Sequence, residues 1–487
     1  MTAVHPLPLR QRRALRWFVA SGLAVIICIP ALAGATTEWT RVTQGAASRP
    51  DDFFGRSVAT DGVRVAAGVP EYDLPNIGGA GAVAIYERVA NAWTRTALLT
   101  ASDAATADVL GECVALDGDL LIASAANVGL LTPAAWTGAA YIFERDRAGW
   151  TQRAKLIPTN PTEFMEAGLA SAIDAVTRTA VVAARLDDDL ATDAGSVSVY
   201  REINGAWTQL QALYAPDAVA GDAFGFRVAL AGDILAVATP ATDAIAESTG
   251  SVYVFERTKP QTGDFVFRAK LMAADAAYRD RFGSSVDVDA ATATIIVGAI
   301  GDDNLPPGGD QGAAYVFRRV AGAWQQEAKL VAADRQSLDG FGAAVAIDGD
   351  RALVGASGVA SNSGAAYLFE FDGTTWNETA KYTSSFGAPN DRLGASVAIR
   401  GSLLLAGASE HDFPLSNAGA LYIASLPDSC PADLDSNGDV GASDLSLLLF
   451  VWGSLGVGIP ADLNDDGVVD AADLSILLES WGICKGI

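Results

Sequence analysis

Histidine is almost absent from this chain of 487 residues, which contains only His5 and His411. Zinc sites built from several histidines are therefore excluded by count. A serine-type catalytic arrangement around His411 has no accompanying nucleophile motif, and no Gly-rich phosphate loop of the P-loop type occurs. Carboxylate chemistry is different, because 58 Asp and Glu residues leave the paired acids of a glycosidase open.

Cysteine is also scarce, with four residues in the whole chain. Cys28 lies in an apolar run and has no small residue before it, which argues against a lipid-anchored cysteine. Cys113 lies in an apolar strand pattern and is expected to be a buried thiol. Cys430 and Cys484 bracket the C-terminal segment. In an exported protein this placement indicates a disulfide.

Long apolar runs are limited to the N-terminus, where one extends from Trp17 to about Leu32. Four arginines precede it, and small residues 33–35 follow it. This pattern predicts a secretory signal over residues 1–35, cleaved before Thr36, with an uncleaved membrane anchor as the alternative. No later segment has the roughly 18 apolar residues that a stable membrane span needs. The expected location is therefore secreted, extracellular or on the cell surface.

Basic residues are few, with 33 Lys and Arg, and the formal net charge is −25. Loss of residues 1–35 would remove four arginines and no acid, giving −29. Such a charge repels nucleic acid and anionic membranes, so no nucleic-acid partner is expected. It suits solubility and divalent cations, and a generic acidic surface is the simpler explanation.

The chain does contain an internal repeat, seen most clearly over residues 339–381. Each unit starts with an apolar residue and glycine, and the units are spaced 52 to 59 residues apart. The seven predicted starts are Phe54-Gly55, Leu110-Gly111, Gly168-Leu169, Phe224-Gly225, Phe282-Gly283, Phe341-Gly342 and Leu393-Gly394. Each unit contains short strands that mix apolar runs with alternation, whereas a helical period is absent. Four short strands per unit predict an all-β fold, a seven-bladed β-propeller.

The fourth strand of each of the first six units carries an aromatic residue. These residues are Trp93, Trp150, Trp207, Phe265 or Phe267, Trp324 and Trp376. The seventh unit lacks such a strand, but a matching segment, residues 38–42, lies at the other end of the chain. We therefore predict that the segment with Trp39 pairs beside residues 421–424 and closes the ring, which hides two sheet edges.

The recurring Phe-Gly and Gly-Ala pairs resemble the FG-GAP repeats, which also form the propeller of integrin α-subunit heads. The resemblance covers roughly residues 38–425, and we assign the propeller domain to residues 36–425. Many FG-GAP repeats carry a calcium loop between the first and second strands. Here that link is as short as Asp117-Gly118-Asp119. It suits a tight turn and offers too few oxygens, so no calcium is expected in the blades.

The variable links join the second and third strands. They are residues 69–79, 125–137, 185–194, 239–249, 300–311, 357–363 and 409–418. We expect them to gather on one face, where variable loops on a rigid scaffold can bind a glycan or protein ligand. Asp302, Asp303, Asn304 and Asp310 are candidates for an acidic site, with a solvated acidic loop as the alternative.

Two segments near the C-terminus align with each other and with the twelve-residue calcium loop. Their candidate oxygen ligands alternate along the chain, and a glycine, Gly438 or Gly467, follows the third ligand. In loop one the ligands are Asp433, Asp435, Asn437, the Asp439 carbonyl and Asp444. In loop two they are Asp462, Asn464, Asp466, the Val468 carbonyl, Asp470 and Asp473. Gly441 replaces Asp470 in loop one, so loop one is expected to bind calcium more weakly.

Each loop precedes an apolar helix pattern, over residues 443–452 and 472–481. Aspartate at the last loop position and the lack of an entering helix resemble a type I dockerin more than an ordinary EF-hand. The resemblance implies a small α-helical calcium module over residues 426–487 that holds two Ca²⁺ ions. It also implies a cohesin-like or cell-surface scaffold partner, bound through Ala442-Ser443 and Ala471-Ala472. The second pair lacks the hydroxyl often found there.

Two functions are compatible with these features. The first is a secreted, non-catalytic binding or adhesion propeller attached through its calcium module. The alternative is a carbohydrate-active enzyme, a polysaccharide lyase or glycoside hydrolase acting in polysaccharide breakdown. A cluster of acids with Arg, Lys or Tyr around the mouth of the propeller channel would favour the enzyme.

Overall fold

The computed structural model describes residues 39–44, 49–89, 92–129, 136–243, 246–303, 309–412, 415–426, 432–434, 439–454, 461–464 and 467–483. The predicted signal, residues 1–35, lies outside these ranges. So do Asp435, Asn437, Asp466 and the two cysteines of the expected disulfide, Cys430 and Cys484.

Seven antiparallel sheets of four strands form the blades of a propeller. The innermost strands are β2 (Val58–Thr60), β6 (Val114–Asp117), β10 (Ala167–Asp174), β14 (Arg227–Ala231), β18 (Phe282–Asp289), β22 (Phe341–Asp348) and β26 (Ser396–Arg400). The second strands are β3 (Arg64–Val69), β7 (Leu120–Ala125), β11 (Thr179–Ala184), β15 (Ile234–Thr239), β19 (Thr294–Ala299), β23 (Arg351–Ala356) and β27 (Leu403–Ala408). Consecutive innermost strands contact one another around the ring, and β26 contacts β2, so these strands surround a central channel.

The two outer positions of each blade complete the sheets. The third strands are β4 (Ala82–Val89), β8 (Ala139–Asp146), β12 (Ser196–Ile203), β16 (Ser251–Arg257), β20 (Ala313–Val320), β24 (Ala365–Phe371) and β28 (Ala420–Ser425). The outer strands of blades one to six are β5 (Ala92–Leu99), β9 (Gly149–Leu156), β13 (Ala206–Leu213), β17 (Phe265–Leu271), β21 (Ala323–Leu330) and β25 (Trp376–Tyr382). Second strands are almost wholly buried, whereas outer strands have many exposed residues. This difference explains why the second strands read as continuous apolar runs.

The seventh blade is closed by the N-terminal strand β1 (Thr40–Val42). Thr40 pairs with Ile423, and Val42 pairs with Leu421, in the antiparallel register. Trp39 packs its ring 5.1 Å from the ring of Tyr382, next to the core between blades six and seven. The prediction that the Trp39 segment lies beside residues 421–424 is confirmed.

The recurring Phe-Gly and Gly-Ala pairs are where neighbouring blades meet. The backbone N–H of each Phe-Gly first residue donates to a carbonyl of the preceding blade, at 2.8 to 3.2 Å around the whole ring. The acceptor lies directly before the glycine that starts the third strand. Gly250 shows why glycine is required there: its φ is +83°, and a Cβ would lie 2.0 Å from the Phe282 carbonyl oxygen.

The start of the third repeat was predicted one residue too late. The N–H of Ala167 makes the contact with the preceding blade, and Gly168 has the positive φ of +96° shared by the other repeats. The unit therefore begins at Ala167-Gly168, not at Gly168-Leu169. Alanine replaces the usual large residue here, and Met165 fills part of the same core.

The links between first and second strands are tight turns, as predicted. Asp117 pairs with Leu120 across a two-residue turn in which Gly118 has a φ of +54°. Between β23 and β24, Val359–Asn362 forms a single short turn, α1, whose Ala360 and Ser361 have left-handed backbone angles.

The C-terminal segment contains two helices, α2 (Ala442–Phe450) and α3 (Ala471–Glu479). Each helix begins one residue earlier and ends two residues earlier than the apolar pattern predicted. A two-stranded sheet joins β29 (Asp439–Val440) to β30 (Gly482–Ile483). Val440, Leu448, Val469 and Leu477 are the main buried residues of a small separate core.

Candidate functional site on the loop face and at the channel mouth

The variable links between second and third strands share one face of the ring with the starts of the innermost strands. A link bonds the segment that leads into the next blade: Ala107 N donates to Gly78 O, and Ala223 N donates to Asp193 O. The same type of bond joins Arg392 N to Asn362 O. The variable links and the channel mouth therefore form one continuous face.

The acidic residues predicted as a possible site are used mainly to hold the fold. Asp302 is buried and accepts hydrogen bonds from the Tyr315 hydroxyl and from Lys329 Nζ at 3.0 Å. Asp303 Oδ1 accepts the N–H groups of Gly309 and Asp310 at 2.7 and 2.8 Å and so closes a turn. Asn304 lies outside the described residues.

A cavity of about 430 Å³ lies beside this loop, between blades five and six. It is lined by Tyr278, Arg279, Arg281, Ile300, Gly301, Asp303, Asp310, Leu338 and Gly340. Arg279 is paired with Glu247 at 2.6 Å, whereas Tyr278 and Leu338 are exposed by more than half. The cavity is a recess of mixed polarity on the loop face.

The two residues that follow each Phe-Gly pair lead into the innermost strands and so lie at the channel mouth. In blades five to seven these residues are small: Ser284-Ser285, Ala343-Ala344 and Ala395-Ser396. In blades one, two and four they include charged, aromatic or reactive residues: Arg56-Ser57, Glu112-Cys113 and Phe226-Arg227. Blade three has the apolar pair Leu169-Ala170. The mouth is therefore asymmetric, with its charges concentrated on one side.

Two ion pairs are built into the charged side of the mouth. Arg56 donates through Nε and Nη2 to Oε1 of Glu112, at 3.0 and 2.8 Å. Arg185 donates through Nε to Oε2 of Glu166 at 2.8 Å. Each arginine uses two nitrogens on one carboxylate oxygen, which fixes the orientation of both partners.

Arg227 has a different environment. Its Nη1 donates to its neighbour's carbonyl, Phe226 O, at 2.9 Å, and its guanidinium lies 4.7 Å from the centre of the Phe226 ring. The enclosing protein walls disfavour the charge, and the repulsion from Arg56 and Arg185 adds to this effect, so the pKa of Arg227 is lowered. The charges of Glu112 and Arg56 act on Arg227, so these three residues belong to one cluster.

Glu71 adds a further acid to the same side. Glu71 is exposed, but partial desolvation and the nearby negative charges of Glu112, Asp73 and Asp51 raise the pKa of its carboxyl. The mouth therefore combines arginines, acids and an aromatic ring. Sequence reasoning missed this cluster, although aligning the residues after each Phe-Gly pair would have found it.

His411 is held in a structural network. Its Nδ1 lies 2.8 Å from Asp391 Oδ2, and its Nε2 lies 3.2 Å from Arg41 Nη1. The imidazole is buried, and both ring nitrogens face charged side chains. The network ties the closing strand β1 to the loop of blade seven and leaves neither nitrogen facing a serine hydroxyl.

Cys113 is a free cysteine in a recess of the channel wall. Its thiol lies 3.6 Å from the Ser171 carbonyl oxygen, and burial raises its pKa. A thiol in this state is a poor nucleophile.

Among the described residues of the C-terminal module, four aspartates are buried: Asp433, Asp444, Asp462 and Asp473. They are the first and last predicted ligands of the two loops. The Gly467 N–H donates to Asp462 Oδ2 at 2.8 Å, and Gly467 has a φ of +86°, as the sharp turn of such a loop needs. Carboxylate oxygens beside a turn of this shape are the donors that a hard cation prefers.

Asp473 is strongly preorganised. Burial opposes its ionisation, but backbone N–H groups of Asp470, Leu463 and Asn464 outweigh burial and lower its pKa. These N–H groups lie 2.7 to 3.2 Å from its oxygens. Asp470 Oδ1 also accepts the Ala472 N–H at 2.8 Å and caps α3.

The two loops are related by a local symmetry. Val440, after loop-one ligand Asp439, pairs with Gly482 beyond α3. Val469 of loop two bonds Gly453 and Ser454 beyond α2, at 2.8 and 3.2 Å. Each loop is therefore braced by the end of the other repeat.

Two wider properties concern only the described part of the chain. It has no group of three or more His, Cys, Asp or Glu side chains arranged to hold a metal ion, but both calcium loops are only partly described. None of its helices has the length and apolar content needed to cross a membrane.

The FG-GAP repeat family matches five segments of the chain, residues 93–143, 207–255, 265–317, 324–369 and 376–424. Each segment begins at an outer-strand aromatic and ends in the third strand of the next blade. No curated protein matches the chain. The matched segments cover about half of the residues, and the seven blades repeat the same contacts. The chain belongs to the FG-GAP repeat family.

Proposed function

We propose that the chain is an exported, non-catalytic binding or adhesion propeller that is attached through a calcium-dependent, dockerin-like module. The observation that carries the binding role is the continuous face formed by the variable links and the asymmetric channel mouth. The ring beneath holds these loops rigidly, and such loops are where binding residues are usually found. The buried His411 supports a role without histidine chemistry.

The attachment role rests on the paired loops of the C-terminal module. When bound, calcium would neutralise the buried carboxylates and fix the loop geometry. Exposed apolar side chains occur at equivalent positions of the two repeats, Leu449 with Leu478 and Trp452 with Trp481. Ala442-Ser443 and Ala471-Ala472 are also exposed at the helix starts. A cohesin-like or other scaffold protein is the proposed partner.

Two measurements test this proposal on the mature protein. A glycan array and a screen of surface proteins should identify a ligand whose binding survives chelation, because the propeller needs no metal for it. Chelation should lower the melting temperature of the segment 430–484. An unchanged melting temperature would show that the loop assignment is wrong.

A carbohydrate-active enzyme is the second candidate function. It is favoured by the channel mouth, where Glu71 has a raised pKa beside Glu112 and the arginines. A raised pKa favours the protonated form of a carboxyl, and that form can act as a general acid. Incubation with acidic and neutral polysaccharides tests this candidate. Release of unsaturated or reducing sugar that is lost in Glu71→Gln would establish the enzyme and reject the non-catalytic proposal.

A further inference from the structure

Arg227 occupies a position that normally joins two blades. In three other blades the equivalent residue is a serine whose hydroxyl donates to a glycine carbonyl of the next blade. These bonds are Ser57 to Gly111 at 2.8 Å, Ser285 to Gly342 at 2.8 Å, and Ser396 to Gly55 at 2.9 Å. Arg227 thus replaces a structural residue with a cation that faces the channel.

The cation is not matched by a carboxylate. Within the described part of the chain, Glu112 pairs with Arg56 and Glu166 pairs with Arg185, whereas Arg227 has no ion-pair partner. Arg227 is therefore an unpaired positive charge in a protein whose formal net charge is −25. The Arg227 guanidinium is exposed and is a weakly hydrated cation, so it favours a ligand that brings a negative charge.

The two paired glutamates keep oxygens available beside this cation. Arg56 uses only Oε1 of Glu112, and Arg185 uses only Oε2 of Glu166. In the described residues no hydrogen bond reaches the other oxygen of either carboxylate. These two oxygens can accept hydroxyl hydrogens. The cluster therefore offers one anion-binding group together with hydroxyl acceptors.

The opposite wall leaves room for the rest of such a ligand. There the mouth residues are Ser284, Ala343 and Ala395, whose side chains are short. The Phe226 ring adds an apolar surface on the charged side. A ligand that carries a carboxylate and several hydroxyls on one compact ring matches this combination of groups.

We propose that the channel mouth binds the carboxylate of an acidic saccharide, a uronic-acid unit, with Arg227 as its main ligand. The inference rests on the proposed function, because it names the ligand class of the same binding face. The guanidinium would take the carboxylate through two parallel N–H donors. Glu112 and Glu166 would accept the neighbouring hydroxyls.

The test is calorimetric titration of the mature protein with a trisaccharide of galacturonic acid. Arg227→Ser restores the residue found in three other blades and should fold normally. We expect it to lose at least tenfold in affinity, which is about 1.4 kcal/mol. Arg227→Lys should lose less, because it keeps the charge but not the paired donors. Arg95→Ser, which removes the same charge from the exposed outer strand β5, should bind like the wild type.

Three further probes separate the sources of the anion. The neutral trisaccharide of galactose should bind at least tenfold more weakly, and inorganic sulfate and an acidic hexapeptide should not match the acidic trisaccharide. Wild-type affinity in Arg227→Ser, or equal binding of the neutral sugar, sulfate or peptide, would overturn the inference. Array ligands that Arg227→Ser still binds with full affinity would retain the binding propeller and reject only this site.

Discussion

Asp287 couples its ionisation to the stability of the propeller. Burial, followed by repulsion from Asp348 and Asp289, raises the pKa of Asp287 from 3.8 to about 7. Between about pH 4 and pH 7 the folded state therefore keeps a proton that the unfolded state releases, and stability falls as the pH rises. Asp287→Asn cannot ionise, so we expect it to be about 2 kcal/mol more stable than the wild type at pH 8. Urea unfolding at several pH values measures this difference.

The matched control is Asp334→Asn. A hydrogen bond from Lys381, at 2.6 Å, lowers the pKa of Asp334. Its stabilising effect is therefore present at neutral pH and is lost as the pH falls, the opposite sign to Asp287. This pair is half-exposed, so the change should be below about 1 kcal/mol. Identical pH profiles for Asp287→Asn and the wild type would contradict the assignment.

The roles of individual residues were predicted well at positions that are the same in every repeat and poorly at positions that differ between repeats. Phe282 and Gly250 recur in equivalent form, so their role in joining blades was visible as a pattern before the contact itself was known. Arg227 and Glu112 each occur once at their position, and only the ring brings them together. Asp302 was assigned to either an acidic site or a solvated loop, because the sequence does not show that Lys329 and Tyr315 reach it.

At the scale of elements, the closing strand could be predicted by counting the outer strands of the seven units. Six units had an outer strand, one did not, and the spare strand lay at the N-terminus. Sheet edges must be paired or covered, so the two had to meet. The helix ends were predicted too late in the chain, because the apolar pattern of α2 continues to Trp452 after the backbone helix ends at Phe450.

Strand β1 should control the stability of the whole ring. Trp39→Ala removes the contact with Tyr382 and should lower the free energy of unfolding by about 2 to 3 kcal/mol. Deletion of residues 36–48 should cost more and leave the edge of β28 open, causing self-association. Urea unfolding and light scattering measure these effects. Trp207→Ala, in blade three, should lose similar stability but stay monomeric, and a monomeric deletion variant would argue against closure by β1.

The two predicted calcium loops differ at one element boundary, where Asp470 in loop two corresponds to Gly441 in loop one. Asp470 caps α3, whereas glycine has no side chain to do so. Calcium titration should therefore detect two sites of unequal affinity. Asp470→Gly should weaken the stronger site roughly tenfold, or about 1.4 kcal/mol, and Gly441→Asp should strengthen the weaker one. If both variants bind calcium like the wild type, the side chains of residues 441 and 470 do not contribute to either site.

At the scale of the whole molecule, the blades and the C-terminal repeats are stabilised in different ways. Each blade leaves apolar surface that only its neighbour can cover, so seven copies and a shared strand are needed to complete the ring. The C-terminal module has only two copies, which brace each other, and its small core contains buried carboxylates. Buried apolar area stabilises the ring, whereas bound cations would supply part of the folding stability of the module.

The two parts should therefore unfold independently. Leu426 packs against the core between blades six and seven, but the described core clusters of the blades contain no residue beyond Leu426, and the module core contains none of the blades. A protein ending at Leu426 keeps β1, β28 and every contact that closes the ring. We expect its propeller transition in scanning calorimetry to match that of the mature protein, while the calcium-sensitive transition disappears. A fall of more than about 4 °C in the propeller transition, equivalent to over 1 kcal/mol even for a smaller domain, would show that the module stabilises the ring.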